Sequence, residues 1–235
     1  MAVARSYQLV LAGVEADLAA GRLGVGGKLP AERALAQRYR VSRASVREAV
    51  RILEALGVVR TAVGSGPDAG ATITAEPAAP IGSALRWHLA SRHLPVADIV
   101  GARVLIESWA VAHAADRGHR EGMAAAEMVL DEMDAPALTP DQFLVMDAKF
   151  HITLADCAGN ALIAAIMAAM RTGIETYVAA GLDQVADWDA IAARLRAEHR
   201  AILAAVLNGR GTEASTLVAD HIFGFYVTAG LSGST

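Results

Sequence analysis

In the segment MDAKFHITLADCAGN, residues 146–160, Asp147 and His151 stand four apart within an apolar, alanine-rich stretch. Four residues are about one helical turn, so the carboxylate and the imidazole share a face. Spacing alone leaves three uses open: an ion pair, a catalytic dyad, or half of a metal site. Two further histidines lie among aliphatic neighbours in helical patterns, His199 in LRAEHRAILAAVL and His221 in LVADHIFGFYV. A single inward histidine is ordinarily a hydrogen-bonded core residue. Three on three helices, with an aspartate one turn from the first, would cost several kcal/mol to bury unless they share a partner. A divalent cation is such a partner, and imidazole with carboxylate suits Zn, Ni, Mn or Fe without selecting among them. Spacing is silent on whether the helices converge, so the readings stay open here. The remaining histidines, His88, His93, His113 and His119, fall in or beside polar and linker segments and read as ordinary surface residues.

A second constellation is basic. In VSRASVREAVRILEALGVV, Arg43, Arg47 and Arg51 recur every four residues and form one exposed stripe. The opposite face carries Val46, Val50, Leu53 and Leu56, with Ser42 as N-cap and Gly57 ending the helix. Arg33 starts the preceding short helix, LPAERALAQRYR, whose Leu35 and Tyr39 point inward. Arginine's planar fork can hold a phosphate or the major-groove edge of guanine with two hydrogen bonds. Ser42 and Ser45 are small enough to approach a DNA backbone or base. On a lone helix such a stripe would read as a solvated face, so its setting decides.

That setting comes from the neighbouring elements. Tyr7, Val10, Leu11, Val14 and Leu18 mark an amphipathic first helix. After the arginine-bearing helix, VVRTAV and GATITA flank GSGPDAG and read as a hairpin with a long tip. Helix, helix, short turn (YRVS), helix, hairpin is the order of a winged helix-turn-helix. Charge agrees: residues 1–62 hold ten Lys/Arg against five Asp/Glu, and residues 63–235 hold eleven against twenty. The halves carry +5 and −9, together the formal −4, which points the basic part toward nucleic acid.

EPAAP at 76–80 reads as a linker, and everything beyond it as helix. Helices are expected near 81–92, 95–117, 120–133, 139–157, 160–180, 187–208 and 212–229. With 54% hydrophobic but only 5% aromatic residues, close helix packing through small side chains is favoured over a β-sandwich. No apolar run approaches the roughly 18 residues of a membrane span. The start reads as a first helix rather than a signal peptide, and the lone Cys157 fits a reducing, cytoplasmic compartment as a small buried residue.

LPAERALAQRYRVSRASVREAVRILEALGVV resembles the DNA-binding domain of GntR-family transcription regulators, through Leu-Pro-x-Glu-Arg followed by Val-Ser-Arg-x-x-Val-Arg-Glu-Ala. The resemblance implies that Arg33, Arg43 and Arg47 contact operator DNA and that the tip around Gly64 to Gly66 enters the minor groove. The family's compact Gly-x-Gly-Thr-Phe-like wing is replaced here by the longer GSGPDAGATI, acidic at Asp68. The helical part, about residues 90–230, resembles the FCD effector domain of the FadR subfamily. By that resemblance Asp147, His151, His199 and His221 bind a divalent metal, zinc first, with nickel or manganese as alternatives. Open positions on the ion would then take a small organic acid. Arg103 and Glu107 match an Arg-x-x-x-Glu whose arginine pairs with the effector carboxylate. From spacing alone they form an i,i+4 surface ion pair worth a few tenths of a kcal/mol. Ser108-Trp109 stand where the family often has proline after the glutamate, and Asn160 matches a helix-capping position.

The expectation is a mainly α protein. Residues 1–75 form a winged helix-turn-helix, and 76–94 a linker and linker helix. Residues 95–230 form an all-α, metal- and effector-binding, dimerising bundle of about six or seven helices. It would be a homodimeric, metabolite-responsive regulator, a repressor by resemblance, reading a palindromic double-stranded operator and neither an enzyme nor membrane-bound. Two rivals stand beside it: a metal-free ligand-binding or dimerising bundle, and a metal-dependent hydrolase with Glu107 as general base.

Overall fold

The computed structural model describes residues 5–62, 70–74, 76–91, 94–118, 120–135, 138–182 and 187–228, with the backbone alone at 120 and 173–182. It divides into two units, residues 1–80 and 81–235.

In the first unit, α1 (Ser6–Ala19), α2 (Glu32–Tyr39) and α3 (Arg43–Ala55) precede an antiparallel pair, β1 (Val59–Ala62) and β2 (Gly70–Ile73). Val10, Val14, Leu35, Val46, Ala49, Leu53, Val59 and Ile73 form its core. The turn between α2 and α3 is tight because Arg40 takes a left-handed conformation at φ 52°. The Ser42 hydroxyl then accepts from the Ser45 N–H at 3.1 Å and starts α3. Asp17 is buried and accepts from Arg22 (2.7 Å) and Arg38 (2.6 Å), tying α1 to α2. Those guanidiniums hold its pKa below the usual carboxylate range.

One inward residue was misplaced by the periodicity. Leu56 is 56% exposed, because it is the C-cap, where the chain leaves helical geometry; Ala49 fills the buried position instead. The wing residues Gly64, Gly66 and Asp68, together with His93 and His119, lie outside the described residues.

The second unit consists of α4 (Ala78–Ala90), α5 (Val96–Arg117), α6 (Arg120–Met133), α7 (Pro140–Cys157), α8 (Ala161–Leu182), α9 (Trp188–Leu207) and α10 (Gly211–Thr228). EPAAP is only partly linker: Ala78 to Pro80 already form the first turn of α4, where proline's missing N–H costs nothing. Local chemistry sets the other starts. Thr139 and Gln142 form a reciprocal capping box with Pro140 in the first turn of α7. Asn160 Oδ1 accepts from the N–H groups of Leu162 and Ile163, and Asp187 from that of Ala190. Helix α5 packs against α7, α8, α9 and α10, so its buried face meets every helix that carries a candidate ligand. Phe143, Phe150, Leu154, Leu195, Ile202, Val218 and Tyr226 fill the space between. Among the described residues no helix is long and apolar enough to cross a membrane.

Gly13 faces the Tyr39 ring so closely that an added Cβ would lie 2.2 Å from it. Gly13→Ala is expected to push the ring aside and cost about 1–3 kcal/mol, read as a lowered thermal midpoint. Gly24→Ala, in open space, should leave that midpoint within the scatter of ordinary surface changes.

Candidate functional site

The inward face of α7 carries Phe143, Asp147, Phe150, His151 and Leu154, spaced three or four apart. His199 comes from the buried face of α9 and His221 from that of α10. All four polar residues are at least nine-tenths buried. His221 Nε2 lies 3.2 Å from both His151 Nε2 and His199 Nε2. Asp147 Oδ1 is 3.0 Å from His199 Nε2, 3.6 Å from His151 Nε2 and 3.8 Å from His221 Nε2. An ion about 2.1 Å from each donor separates neighbouring donors by roughly 3.0–3.4 Å. The four atoms lie within 4.8 Å of one another, close enough to share one ion; the two His221 contacts and Asp147–His199 match that spacing, and the other Asp147 contacts are a few tenths of an ångström longer.

The rings are aimed by their other nitrogens. His151 Nδ1 donates to Glu107 Oε2 at 2.6 Å, and His221 Nδ1 donates to Glu198 Oε2 at 2.8 Å. Each carboxylate fixes the Nδ1–H tautomer, which leaves Nε2 a bare lone pair turned toward the centre. His199 Nδ1 is buried with no hydrogen-bond partner among the described residues, and the ring is held by packing beside Phe150 at 5.0 Å between centroids. Two lone pairs 3.2 Å apart repel unless a cation lies between them.

Arg103 and Glu107 are not a surface pair. Both are buried, at 4% and 3% exposure. Arg103 Nε donates to Glu107 Oε1 at 2.7 Å, and its Nη1 donates to the Tyr226 hydroxyl at 2.9 Å. Glu107 thus has one oxygen on Arg103 and the other on His151, and it does not line the cavity beside the cluster. Arg171, on α8, donates through Nη1 to Asp147 Oδ2, with Nη2 3.6 Å from Glu107 Oε2. Asp147 therefore turns one oxygen to the histidines and the other to a guanidinium.

Burial alone would raise the carboxyl pKa values, but the neighbouring positive charges win. Arg103 foremost holds Glu107 below its ordinary range, and Arg171 foremost holds Asp147 well below. Burial favours a neutral His199 and lowers its pKa; burial together with His199 pushes His221 down to about 3. Near neutral pH the centre consists of an ionised carboxylate beside neutral imidazoles at His199 and His221, the protonation states that ligate a metal.

A cavity of about 500 Å³ opens onto this centre. Asp147, His221, Arg103, Arg171 and Tyr226 line it, whereas His151 and His199 lie behind. In the first unit, Arg33, Arg43, Arg47 and Arg51 are all exposed. Arg43 and Arg47 lie 3.5 and 3.6 Å from Glu32 Oε2, with half or more of each side chain in solvent. Ser42 is exposed and Ser45 half-buried at the start of α3. His88 and His113 are exposed, the latter stacked on Trp109.

Arg171, Tyr226 and Glu198 were not singled out from the sequence. Arg171 was visible as a lone charge after ALIAAIMAAM, a run that otherwise reads as core. Glu198 adjoins His199 but serves His221 on another helix, and nothing in the sequence marks Tyr226.

His199 and His221 stay neutral in the folded protein but take up protons near pH 6.5 once unfolded. Between about pH 6.5 and 3 the unfolded chain therefore binds more protons, and stability falls as pH falls. Asp147 and Glu107, depressed in the fold, add to the loss below about pH 4. Urea unfolding of metal-free protein should show lower stability at pH 5 than at pH 7, with a smaller drop in His221→Gln. Equal stability at both pH values would contradict the neutral-imidazole assignment.

The FCD domain matches residues 98–224, and the gntR family of bacterial regulatory proteins matches residues 6–67. The chain is 27% identical over 203 residues to the HTH-type transcriptional regulator LutR of Bacillus subtilis (strain 168), covering 86% of this chain and 91% of that protein. It is 30% identical over 180 residues to the Exu regulon transcriptional regulator of Escherichia coli (strain K12), covering 72% and 62%. It is 33% identical over 156 residues to the HTH-type transcriptional repressor NanR of Klebsiella aerogenes, covering 64% and 57%. A solved structure titled Streptococcus agalactiae GntR superposes with a TM-score of 0.63 at 22% identity, covering 94% of this chain and 98% of that one, and shares its fold. With a gntR-type winged head and an FCD domain spanning more than half its length, the chain belongs to the FCD-domain branch of the GntR family of bacterial transcription regulators.

Proposed function

We propose that this regulator is a homodimeric repressor whose helical domain binds a small carboxylate at a divalent metal and thereby changes its affinity for operator DNA. The observation that carries this reading is the convergence of Asp147 Oδ1 with the Nε2 atoms of His151, His199 and His221 beside an arginine-lined cavity. These four residues would hold the ion, zinc in the first instance, with nickel or manganese also suited to the donors. When bound, the metal supplies a Lewis-acidic anchor for a carboxylate. Arg103 would pair with that carboxylate from the cavity floor, with Tyr226 fixing the guanidinium. Glu107 and Glu198 would act on the ligands, setting the tautomers of His151 and His221. A carboxylate that binds one arrangement of the domain more tightly than another shifts DNA binding by that difference in free energy.

Residues 1–75 would form the DNA-binding head, with Arg33, Arg43, Arg47, Ser42 and Ser45 meeting the major groove and phosphates; Gly64 and Gly66 are proposed for the wing tip. Two heads related by a dimer axis would read a palindrome with half-sites about one helical turn apart. The NanR relative's description as a repressor supports that direction of control. The hydrolase reading is less favoured, since both oxygens of its suggested base, Glu107, are engaged by Arg103 and His151.

DNA selected by the full-length, metal-loaded protein from a random library should carry a two-fold symmetric site. Arg47→Ala should weaken binding to it at least tenfold and lower the salt dependence by about one phosphate contact. Millimolar acetate or lactate should shift operator affinity of the native protein and leave Arg103→Ala unmoved, measured by fluorescence anisotropy. Operator binding indifferent to metal and to every carboxylate would leave a DNA-binding dimeriser instead.

A further inference from the structure

The cavity's polar groups are its buried floor: Asp147, His221, Arg103, Arg171 and Tyr226. Its walls are different. Along α7 the residues that line the cavity beside Asp147 are Leu144, Val145, Ala148 and Ile152. Helix α10 contributes Ile222 and Phe225 opposite. Val145 is 55% exposed, an aliphatic side chain lining a cavity beside buried charges. Among the described lining residues, only Asp141 and Thr172 offer wall groups for further hydrogen bonds.

Beyond the floor, a polyhydroxylated acid meets among the described wall residues only Asp141 and Thr172 as partners, and each hydroxyl left unpaired against the aliphatic groups costs on the order of 1–3 kcal/mol. An aliphatic or aromatic body loses nothing by leaving water and gains from contact with these walls. The volume of about 500 Å³ lies within the ordinary range of small-molecule sites and exceeds what a carboxylate headgroup needs.

We infer that the effector of this chain is a monocarboxylic acid with an apolar body, its carboxylate at the floor and its hydrocarbon along Leu144, Val145, Ile152, Ile222 and Phe225. The inference rests on the proposed carboxylate-binding function of the same site and adds the class of acid. It sets this chain apart from a sensor of sugar acids, which would need donors and acceptors where α7 presents aliphatic groups.

Calorimetric titration of full-length, zinc-loaded protein with acetate, butanoate, hexanoate and octanoate, and with gluconate as the hydroxylated counterpart of hexanoate, tests it. Affinity should rise about fourfold per methylene until the cavity is full, and hexanoate should bind at least 30-fold more tightly than gluconate. Val145→Ser and Ile152→Ser should flatten that slope. Gluconate binding as tightly as hexanoate, or affinity independent of chain length, would overturn the apolar class while leaving carboxylate sensing intact. Failure of every acid, acetate included, to bind zinc-loaded protein would overturn both.

Discussion

The helical domain is organised by the meeting of three imidazole Nε2 atoms with one carboxylate oxygen in a buried space. His151 and His221, both with Nδ1–H held by a carboxylate, face each other with Nε2 atoms 3.2 Å apart, a spacing that a shared cation relieves. A proton is a poor candidate near neutral pH, because burial and mutual repulsion push His221 down to about 3. A divalent ion needs neutral imidazoles and fits the spacing. The surrounding helices supply what the cluster requires: α5 brings Glu107 to orient His151, α9 brings Glu198 to orient His221, and α8 brings Arg171 to hold the second oxygen of Asp147.

Charge balance connects this centre to ligand recognition. Arg103 and Arg171 are matched by Glu107 and Asp147, so the buried core is neutral before an ion arrives. Under the proposed function, a divalent ion would leave net positive charge facing the cavity, and an entering carboxylate would offset part of it. The anion would then be drawn to the floor by electrostatics, while selection among anions would fall to the aliphatic residues that α7 and α10 contribute to the walls.

Much of this was readable from the chain and some was not, for physical reasons. Helix spans followed from apolar periodicity and from punctuation such as Thr139-Pro140 and Gly159-Asn160, which act locally. Asp147, His151, His199 and His221 stood out because each is polar within an apolar stripe. Arg103 and Glu107 show the limit of the same logic: an i,i+4 pair looks alike on a wet face and a buried one, and only the packing of α5 against four helices places it inside. Arg171 escaped notice because its partner lies 24 residues away on another helix. Leu56 failed differently, since its periodic position coincides with the end of the helix. In the head the recognition helix was legible because the arginine stripe and the core stripe occupy opposite faces of one helix.

The central claim, that these four side chains form one metal site, is tested most directly by titrating chelator-stripped, full-length protein with Zn(II) at neutral pH. One ion should bind per chain with a sharp equivalence point, and His199→Ala should lose it while its circular dichroism stays helical. Undiminished binding by His199→Ala, or no stoichiometric binding by the native chain, would contradict the account.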